Sequence, residues 1–298
     1  MKTPEKLVKG DLIYLTAPAK AIDKNTIDQS KKLLEELGFK VLLSENILGS
    51  HGYFSASDFL RAKDFQVGLD HEEAKAIVCV RGGYGCIRIL PYLNWVQFLK
   101  SPKWVCGFSD VTVLHHRLFS FGIKSLHSTM PLNFQTNTSD AISSMQNVLM
   151  GNFAPLVFSS DPQNKMGKSS GILIGGNLSI IYSLLATDVA YDFNNKILFI
   201  EDLGEQLYHI DRILHTLERS KVFEEIQGLL VGGMTDMKDT ENPTGFDVAT
   251  LILEKVKYRK IPVCFHAPFG HIQDNRALII GNKVEFLVDQ QGVKLTYL

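Results

Sequence analysis

The sequence predicts an α/β protein in which an N-terminal Rossmann-like domain, built on a parallel sheet, precedes a strand-rich α+β C-terminal domain. The chain has 298 residues, enough for one large domain or two of ordinary size. In its first half, short apolar runs alternate with helical segments, as in a sheet covered on both faces. In its second half, strand-like runs outnumber helical ones. We expect domains at 1–150 and 171–298, joined by a linker at 151–170.

Four apolar runs of strand length are expected to form the parallel sheet. They are Leu12–Thr16, Phe39–Leu43, Ala76–Val80 and Trp104–Phe108. The helical segments between and after them are Asn25–Leu37, Ser57–Leu69, Ile87–Leu93 and Asp110–Phe121. Asn25 and Ser57 can cap their helices, Gly38 can end the first, and Pro91 should interrupt the third.

The second half begins after a segment, 151–170, that is rich in Asn, Ser, Pro, Gly and Lys, as a linker or a surface loop would be. The strand signals that follow are Ile172–Ile174, Lys196–Glu201, Gly228–Val231, Ile261–Phe265, Ala277–Ile280 and Val284–Val288. The helical signals are fewer and lie at Leu178–Leu185, Gln206–Arg219 and Phe246–Lys257. This pattern favours a mixed, strand-rich second domain.

Charge and hydropathy exclude several classes of protein. Lys and Arg (31) balance Asp and Glu (32), so we expect no nucleic-acid partner. No apolar run has the length of a signal-peptide core or a membrane span, so we expect no membrane association and a cytoplasmic address. The cysteines form no CxxC pair and are expected to be buried, reduced thiols. They are Cys79, Cys86, Cys106 and Cys264. Neither an HExxH motif nor a Cys/His cluster is present, so no metal is expected.

The segment Gly107-Phe108-Ser109-Asp110 joins an expected strand to an expected helix. A serine at such a junction projects toward the free N–H groups of the helix start, which is the geometry of a nucleophile elbow. The usual elbow pattern, G-x-S-x-G, has a glycine where Val111 stands. The alternative is that Ser109 is an ordinary helix cap, a position that serine favours.

A glycine-rich loop, 81–85 (RGGYG), follows the third expected strand. Glycines there allow the backbone to approach a ligand and to point N–H groups at an anion. The loop matches no nucleotide-phosphate motif, so an oxyanion or carboxylate site and a simple structural turn both stay open.

Carboxylates and histidines supply the other candidates. Glu201 and Asp202 end an apolar strand, where sites form in such sheets, although Asp202 could simply cap a helix. His271 lies in a loop after a buried strand, and His266 competes with it. The adjacent His115 and His116 lie in a helix, where both cannot share a face.

Five motifs occur in order along the chain: RGGYG (81–85), GFSD (107–110), GGNLS (175–179), IEDLGE (200–205) followed by Tyr208-x-x-Asp211-Arg212, and FGHxxxN (269–275). The series resembles the LD-carboxypeptidase family of serine peptidases, which includes muramoyl-tetrapeptide carboxypeptidases and microcin-immunity peptidases. The resemblance runs from Leu12 to about Leu287 and is weakest at 151–170.

The resemblance implies a Ser–Glu–His triad, with Ser109 as nucleophile, Glu201 as acid and His271 as base. Each role suits the chemistry: a serine needs a base to take its proton, and the acid holds the imidazole in the right tautomer. Glu205 is the rival for the acid role, and Glu201 is preferred because it directly ends the strand.

Further contacts are expected around this triad. The N–H of Asp110 would be the first oxyanion donor, and Gly83 is the candidate for the second. Arg81 is a candidate contact for the substrate. The site is expected to lie between the two domains.

The implied activity is cleavage between an L-centre and a terminal D-amino acid, with D-alanine released from the murein tetrapeptide during cytoplasmic cell-wall recycling. The resemblance implies a peptide substrate, no cofactor and a homodimer. One alternative is a relative that hydrolyses peptidyl-nucleotide or other acyl-amide toxins with the same triad. Another is a non-catalytic binding protein of flavodoxin-like type.

Overall fold

The computed structural model describes all 298 residues and divides the chain into two compact units. The first consists of Met1–Asn152 together with Gln273–Ile279. The second consists of Phe153–Ile272 together with Ile280–Leu298. The chain therefore returns to the first unit for a short segment near its end.

Strands and helices alternate through most of the chain. The strands are β1 (Leu12–Thr16), β2 (Lys40–Leu43), β3 (Ala74–Cys79), β4 (Trp104–Gly107), β5 (Ser125–His127), β6 (Leu156–Phe158), β7 (Gly167–Asn177), β8 (Lys196–Leu203), β9 (Gly228–Thr235), β10 (Val263–Cys264), β11 (Leu278–Ile280), β12 (Lys283–Val288) and β13 (Val293–Tyr297). The helices are α1 (Lys24–Glu36), α2 (Asp58–Asp70), α3 (Cys86–Ile89), α4 (Val96–Lys100), α5 (Thr112–Ser120), α6 (Ser139–Leu149), α7 (Leu178–Leu184), α8 (Leu207–Arg219), α9 (Val222–Glu225) and α10 (Val248–Val256).

A six-stranded sheet in the order β11-β5-β4-β3-β1-β2 forms the centre of the first unit. The pairs β1/β2, β1/β3, β3/β4 and β4/β5 are all parallel. Strands β3 and β4 are buried along nearly their whole length, since helices cover the sheet. The expected Rossmann-like parallel domain is confirmed.

A seven-stranded mixed sheet in the order β10-β9-β8-β7-β12-β13-β6 forms the second unit. Its β10/β9, β9/β8 and β8/β7 pairs are parallel, and its β7/β12, β12/β13 and β13/β6 pairs are antiparallel. The second domain is therefore strand-rich and α+β, as expected. The expected linker at 151–170 supplies β6 and the first residues of β7 to this sheet.

Local signals explain several helix boundaries. Ser57 caps α2 as expected, and its side chain accepts from the N–H of Leu60. The expected cap of α1 was wrong by two residues: Asp23, not Asn25, accepts from the N–H of Thr26. Pro91 follows the end of α3, and the chain continues there as a 3₁₀ turn.

No helix of the structure combines the length and the apolar character needed to cross a membrane. All four cysteines are buried, and none forms a disulfide.

Candidate active site

Ser109 lies at the end of β4, where the strand turns into a 3₁₀ turn that leads into α5. Its φ is +62°, in the left-handed region, which costs a residue with a Cβ roughly 1–2 kcal/mol. Ser109 is the first residue of this turn and not its cap, since Phe108 occupies the N-cap position. The structure thus gives Ser109 the strained strand-to-helix turn of a nucleophile elbow, despite Val111 in place of the second glycine.

A buried histidine holds the strand just before this elbow. His115 is fully buried, and its Nε2 lies 2.8 Å from the carbonyl oxygen of Gly107. Because a carbonyl only accepts, Nε2 carries the proton, and Nδ1 accepts from the Ser125 hydroxyl at 2.8 Å. Burial lowers the pKa of His115 to about 4, so the ring stays neutral. Its role is to fix the end of β4.

The glycine loop approaches the elbow closely. A Cβ on Gly82 would lie 3.0 Å from the Ser109 hydroxyl oxygen and 3.2 Å from the Asp110 nitrogen, so only glycine fits without a shift. The next residue, Gly83, has a φ of +108°, and no carbonyl of the backbone accepts from its N–H. The N–H of Asp110 belongs to the first turn, whose N–H groups have no partner within the helix. Two N–H groups are thus available in the neighbourhood of Ser109.

The Asp110 side chain joins the elbow to the glycine loop. Its Oδ2 accepts from the N–H of Cys86, at the start of α3, at 2.8 Å. Burial raises the pKa of the Asp110 carboxyl, while the Cys86 bond and the charge of Arg61 act in the opposite direction. This carboxylate ties the residue after Ser109 to the end of the loop.

Arg61 holds the other side of the same loop and was not singled out from the sequence. Its side chain is almost fully buried, and its guanidinium donates to the carbonyls of Ala56, Pro18 and Gly85 and pairs with Asp58. In the sequence it is simply a charged residue within a helix, and no motif marks it. The guanidinium fork supplies the several donors that this loop backbone needs.

In the second unit, the structure brings Glu201 and His271 together. Oε2 of Glu201 lies 2.6 Å from Nδ1 of His271. Glu201 is completely buried within β8, and the His271 side chain is 17% exposed. Since a carboxylate only accepts, Nδ1 carries the proton and Nε2 is the nitrogen with the lone pair.

The loop before His271 is shaped for this contact. Gly270 has a φ of +96°, and a Cβ there would lie 2.6 Å from the Glu201 Cβ. The N–H of Gly233 donates to the carbonyl of Phe269, and the Thr235 hydroxyl donates to the carbonyl of His271, both at 2.9 Å. Two residues of β9 thus fix the loop that carries the imidazole.

The electrostatics favour the protonated form of His271. Burial by itself lowers the pKa of this histidine, because it disfavours the charged ring. The charge and hydrogen bond of Glu201, helped by the charge of Asp202, outweigh burial and raise the pKa above its ordinary value. The Glu201 carboxylate therefore stabilises the imidazolium form of His271.

The rival residues have other partners. Glu205 pairs with Nδ1 of His209 and accepts from the Ser179 hydroxyl at 3.2 Å. His266 is 75% exposed and lies 2.9 Å from Asp161. Neither contact involves the Glu201–His271 pair.

Asp202 faces a different set of groups from its neighbour Glu201. It accepts from the Asn177 side chain at 2.8 Å and from the backbone and hydroxyl of Ser179 at 2.9 and 2.7 Å. Burial raises the pKa of its carboxyl, and these hydrogen bonds act against that rise. Asp202 is not itself a helix cap, because it lies within β8 and Asn177 is the N-cap of α7. It holds the start of α7 through Asn177 and Ser179, two residues of the GGNLS motif.

Two family descriptions match the chain. The LD-carboxypeptidase N-terminal domain matches residues 13–128, and the LD-carboxypeptidase C-terminal domain matches residues 170–286. The chain belongs to the LD-carboxypeptidase family. It is therefore a peptidase, as the resemblance implied.

Curated relatives agree with this membership in the LD-carboxypeptidase family. A protein of Synechocystis sp. that is named as a carboxypeptidase is 31% identical over 286 residues, covering 95% of this chain and 93% of that one. The murein tetrapeptide carboxypeptidase of Pseudomonas aeruginosa is 27% identical over 281 residues, covering 89% of each chain.

Solved structures share the fold of this LD-carboxypeptidase family member. The muramoyltetrapeptide carboxypeptidase of Oxalobacter formigenes has a TM-score of 0.86 at 24% identity, over 96% of this chain and 98% of that one. The protein MccF, solved in complex with glutamyl sulfamoyl guanosine, has a TM-score of 0.87 at 19% identity, over 98% of each chain. These likenesses concern the fold.

Proposed function

We propose that this peptidase is a serine carboxypeptidase that removes the C-terminal D-alanine from the murein tetrapeptide with a Ser109–His271–Glu201 triad. The observation that carries the proposal is the 2.6 Å contact between the buried Glu201 and Nδ1 of His271, which leaves Nε2 as a base. Ser109, on its strained elbow, is the nucleophile that such a base requires.

In the first half of the reaction, Nε2 of His271 takes the Ser109 proton as the hydroxyl oxygen attacks the carbonyl before D-alanine. The negative charge that develops on the carbonyl oxygen is stabilised by the N–H groups of Asp110 and Gly83. The intermediate then breaks its C–N bond, and the imidazolium gives its proton to the departing amine of D-alanine.

In the second half, a water molecule replaces the amine. His271 takes a proton from this water as its oxygen attacks the acyl-serine ester. The intermediate then breaks its bond to Ser109, whose oxygen recovers the proton, and the shortened peptide leaves as a carboxylic acid. Glu201 holds the ring in the correct tautomer throughout.

The substrate class comes from the named relatives and the family resemblance. Murein peptide returning to the cytoplasm is the proposed source, and a homodimer is the proposed assembly, both on the resemblance alone. A family neighbour of the same fold is MccF, whose solved complex holds an acyl sulfamoyl nucleoside. The same triad chemistry would cleave such an acyl amide, so this compound belongs in the test.

The test compares two tetrapeptides whose third residue is a diamino acid, one ending in D-alanine and one in L-alanine. Free alanine is quantified by mass spectrometry for the wild type, for Ser109→Ala and for Ser120→Ala, an exposed control serine at the end of α5. We expect release from the D-epimer by the wild type and the control only. A misplaced reacting group can cost about 10²-fold in rate, which sets the expected difference between epimers.

Two outcomes would contradict the proposal. Equal release from both epimers would remove the stereochemical claim. No release from the D-epimer, together with cleavage of glutamyl sulfamoyl guanosine, would assign the chain to the toxin-hydrolase alternative.

A further inference from the structure

A small cationic cluster lies beside the glycine loop in the first unit. It consists of Lys20 and Tyr53, which approach Gly83, together with Arg81, the first residue of the loop, whose guanidinium interacts electrostatically with Tyr53. A Cβ on Gly83 would lie 2.8 Å from the Tyr53 hydroxyl and 3.0 Å from Cβ of Lys20. This cluster therefore touches the residue that follows Gly82, which itself packs against Ser109.

The cations of this cluster are not neutralised by a direct carboxylate contact. The Lys20 ammonium lies 4.8 Å from the centre of the Tyr53 ring and is in no salt bridge. Arg81 donates from Nη1 to the carbonyl of Ala21 at 2.8 Å, while its Nε is buried and has no acceptor. The nearby carboxylate of Asp23 is engaged at the start of α1, where it accepts from the N–H and the hydroxyl of Thr26.

We infer that Lys20, Tyr53 and Arg81 bind the free C-terminal carboxylate of the peptide substrate, an inference that rests on the proposed function. A carboxypeptidase must recognise a carboxylate one residue beyond the bond that it cleaves. The Cα atoms of adjacent residues lie about 3.8 Å apart across a trans peptide bond. This spacing applies both to the last two residues of the substrate and to Gly82 and Gly83. A peptide whose scissile carbonyl lies at Ser109, beside Gly82, would present its carboxylate beside Gly83.

The chemistry of the cluster suits a carboxylate. The ammonium and the guanidinium are donors with full positive charge, and the phenol adds a neutral donor. Tyr53 also holds the Lys20 ammonium over its ring, which limits the conformations that the ammonium samples. The half-buried position of Arg81 strengthens its attraction to an anion, because screening by water is weaker there.

Binding measurements test this inference without turnover. The Ser109→Ala protein is titrated with the D-alanine tetrapeptide as the free acid and as its C-terminal amide, which differs only in lacking the negative charge. Hydrogen bonds to charged groups correspond to roughly 10- to 100-fold in affinity. We expect the amide to bind weaker than the acid by that factor.

Second substitutions in the Ser109→Ala protein test which residues of the cluster bind the carboxylate. Lys20→Met is expected to raise the Kd of the peptide acid by about tenfold or more and to leave the Kd of the amide unchanged. Tyr53→Phe keeps the ring and removes the hydroxyl. It should weaken binding of the peptide acid and leave binding of the amide unchanged. The matched control is Lys24→Met, because Lys24 is an exposed lysine that pairs with Asp28 on the surface of α1. It should change neither Kd.

The failure of this inference differs from the failure of the proposed function. Equal Kd values for acid and amide, no binding of the acid, or an equal loss of both ligands in Lys20→Met would overturn the carboxylate assignment. If the acid is preferred but the wild type releases no D-alanine, the carboxylate site stands and the proposed reaction is wrong. If the wild type releases D-alanine but Lys20→Met leaves the ratio of the two Kd values, acid to amide, unchanged, the proposed reaction stands and the carboxylate assignment is wrong.

Discussion

Nδ1 of His271 lies 2.6 Å from Oε2 of Glu201, a carboxylate with no exposed surface. A hydrogen bond of this kind to an ionised acceptor favours the charged imidazole. Burial of the ring acts the other way, and the carboxylate outweighs it, so the pKa of His271 is raised. This raised pKa sets the pH range in which His271 is neutral.

We expect kcat/KM to fall at acidic pH with an apparent pKa above 6.5, the ordinary value for histidine, because only neutral His271 can accept the Ser109 proton. Glu201→Gln keeps the shape but removes the charge that raises this pKa. The acid limb should therefore move to lower pH, and kcat should fall by roughly 10²- to 10⁴-fold. Rates of D-alanine release between pH 5 and 9 measure both effects.

Glu205→Gln is the matched control for the pH profile, because Glu205 pairs with His209 instead. Its acid limb should coincide with that of the wild type. A limb that moves in Glu205→Gln and stays in place in Glu201→Gln would exchange the roles of the two carboxylates.

Ser109, the proposed nucleophile, has a strained backbone, so substitutions at this position should affect activity and stability differently. Both Ser109→Ala and Ser109→Gly should abolish turnover. Alanine keeps the strain of a φ of +62°, which costs roughly 1–2 kcal/mol, whereas glycine accepts this conformation at an entropic cost of roughly 0.5–1 kcal/mol. We expect Ser109→Gly to be the more stable by about 0.5–1 kcal/mol in denaturant titrations. Turnover by either purified variant at the wild-type rate would remove Ser109 as nucleophile.

The two candidate histidines should differ sharply in their effect on the rate. His271→Ala removes the proposed base, and since members of a triad act as a unit, its kcat should fall nearly as far as that of Ser109→Ala. His266→Ala removes an exposed ring that pairs with Asp161, so kcat should stay within a fewfold of wild type. Single-substrate kinetics on the tetrapeptide measure both. A kcat for His271→Ala close to wild type would redirect the search for the base to His266.

The sequence predicted the buried part of the first sheet well, because β4 and all of β3 after Lys75 are apolar runs of the kind found in a covered sheet. It missed β6, an edge strand of three residues in which Val157 is exposed. It also could not assign β11 to the six-stranded sheet, since a run such as Leu278–Ile280 carries no information about which neighbours it pairs with.

The candidate site likewise contains residues that the sequence could identify and residues that it could not. Its polar side chains lie at strand ends or in short motifs, so Ser109, Glu201 and His271 could be named as candidates from the residues, and the family resemblance supplied their roles. The residues that support them could not. Arg61 and His115 act through contacts with backbone carbonyls distant in sequence or across a turn, and no residue pattern records such contacts. Lys20 and Tyr53 were missed for the same reason, because they meet the glycine loop only in the folded chain.

Gly270 is the residue on which the Glu201–His271 contact depends most directly. Its φ of +96° is unfavourable for any other residue, and a Cβ would lie 2.6 Å from Cβ and 2.9 Å from Oε2 of Glu201. We expect Gly270→Ala to lower the free energy of unfolding by about 2–4 kcal/mol, through left-handed strain and displacement of the buried carboxylate. Because the imidazole must then move, kcat should fall by about 10²-fold or more.

Gly245→Ala supplies the control for Gly270→Ala. Its φ is +80°, and nothing lies within 4 Å of the added Cβ, so it carries the backbone strain without the collision. We expect this control to lose about 1–2 kcal/mol of stability and to keep its kcat. Denaturant titrations and tetrapeptide kinetics on the two variants, compared at a temperature where both are folded, isolate the effect of the collision. If folded Gly270→Ala turned over as fast as Gly245→Ala, the close approach of the loop to Glu201 would have no part in catalysis, and the proposed role of the carboxylate would fall with it.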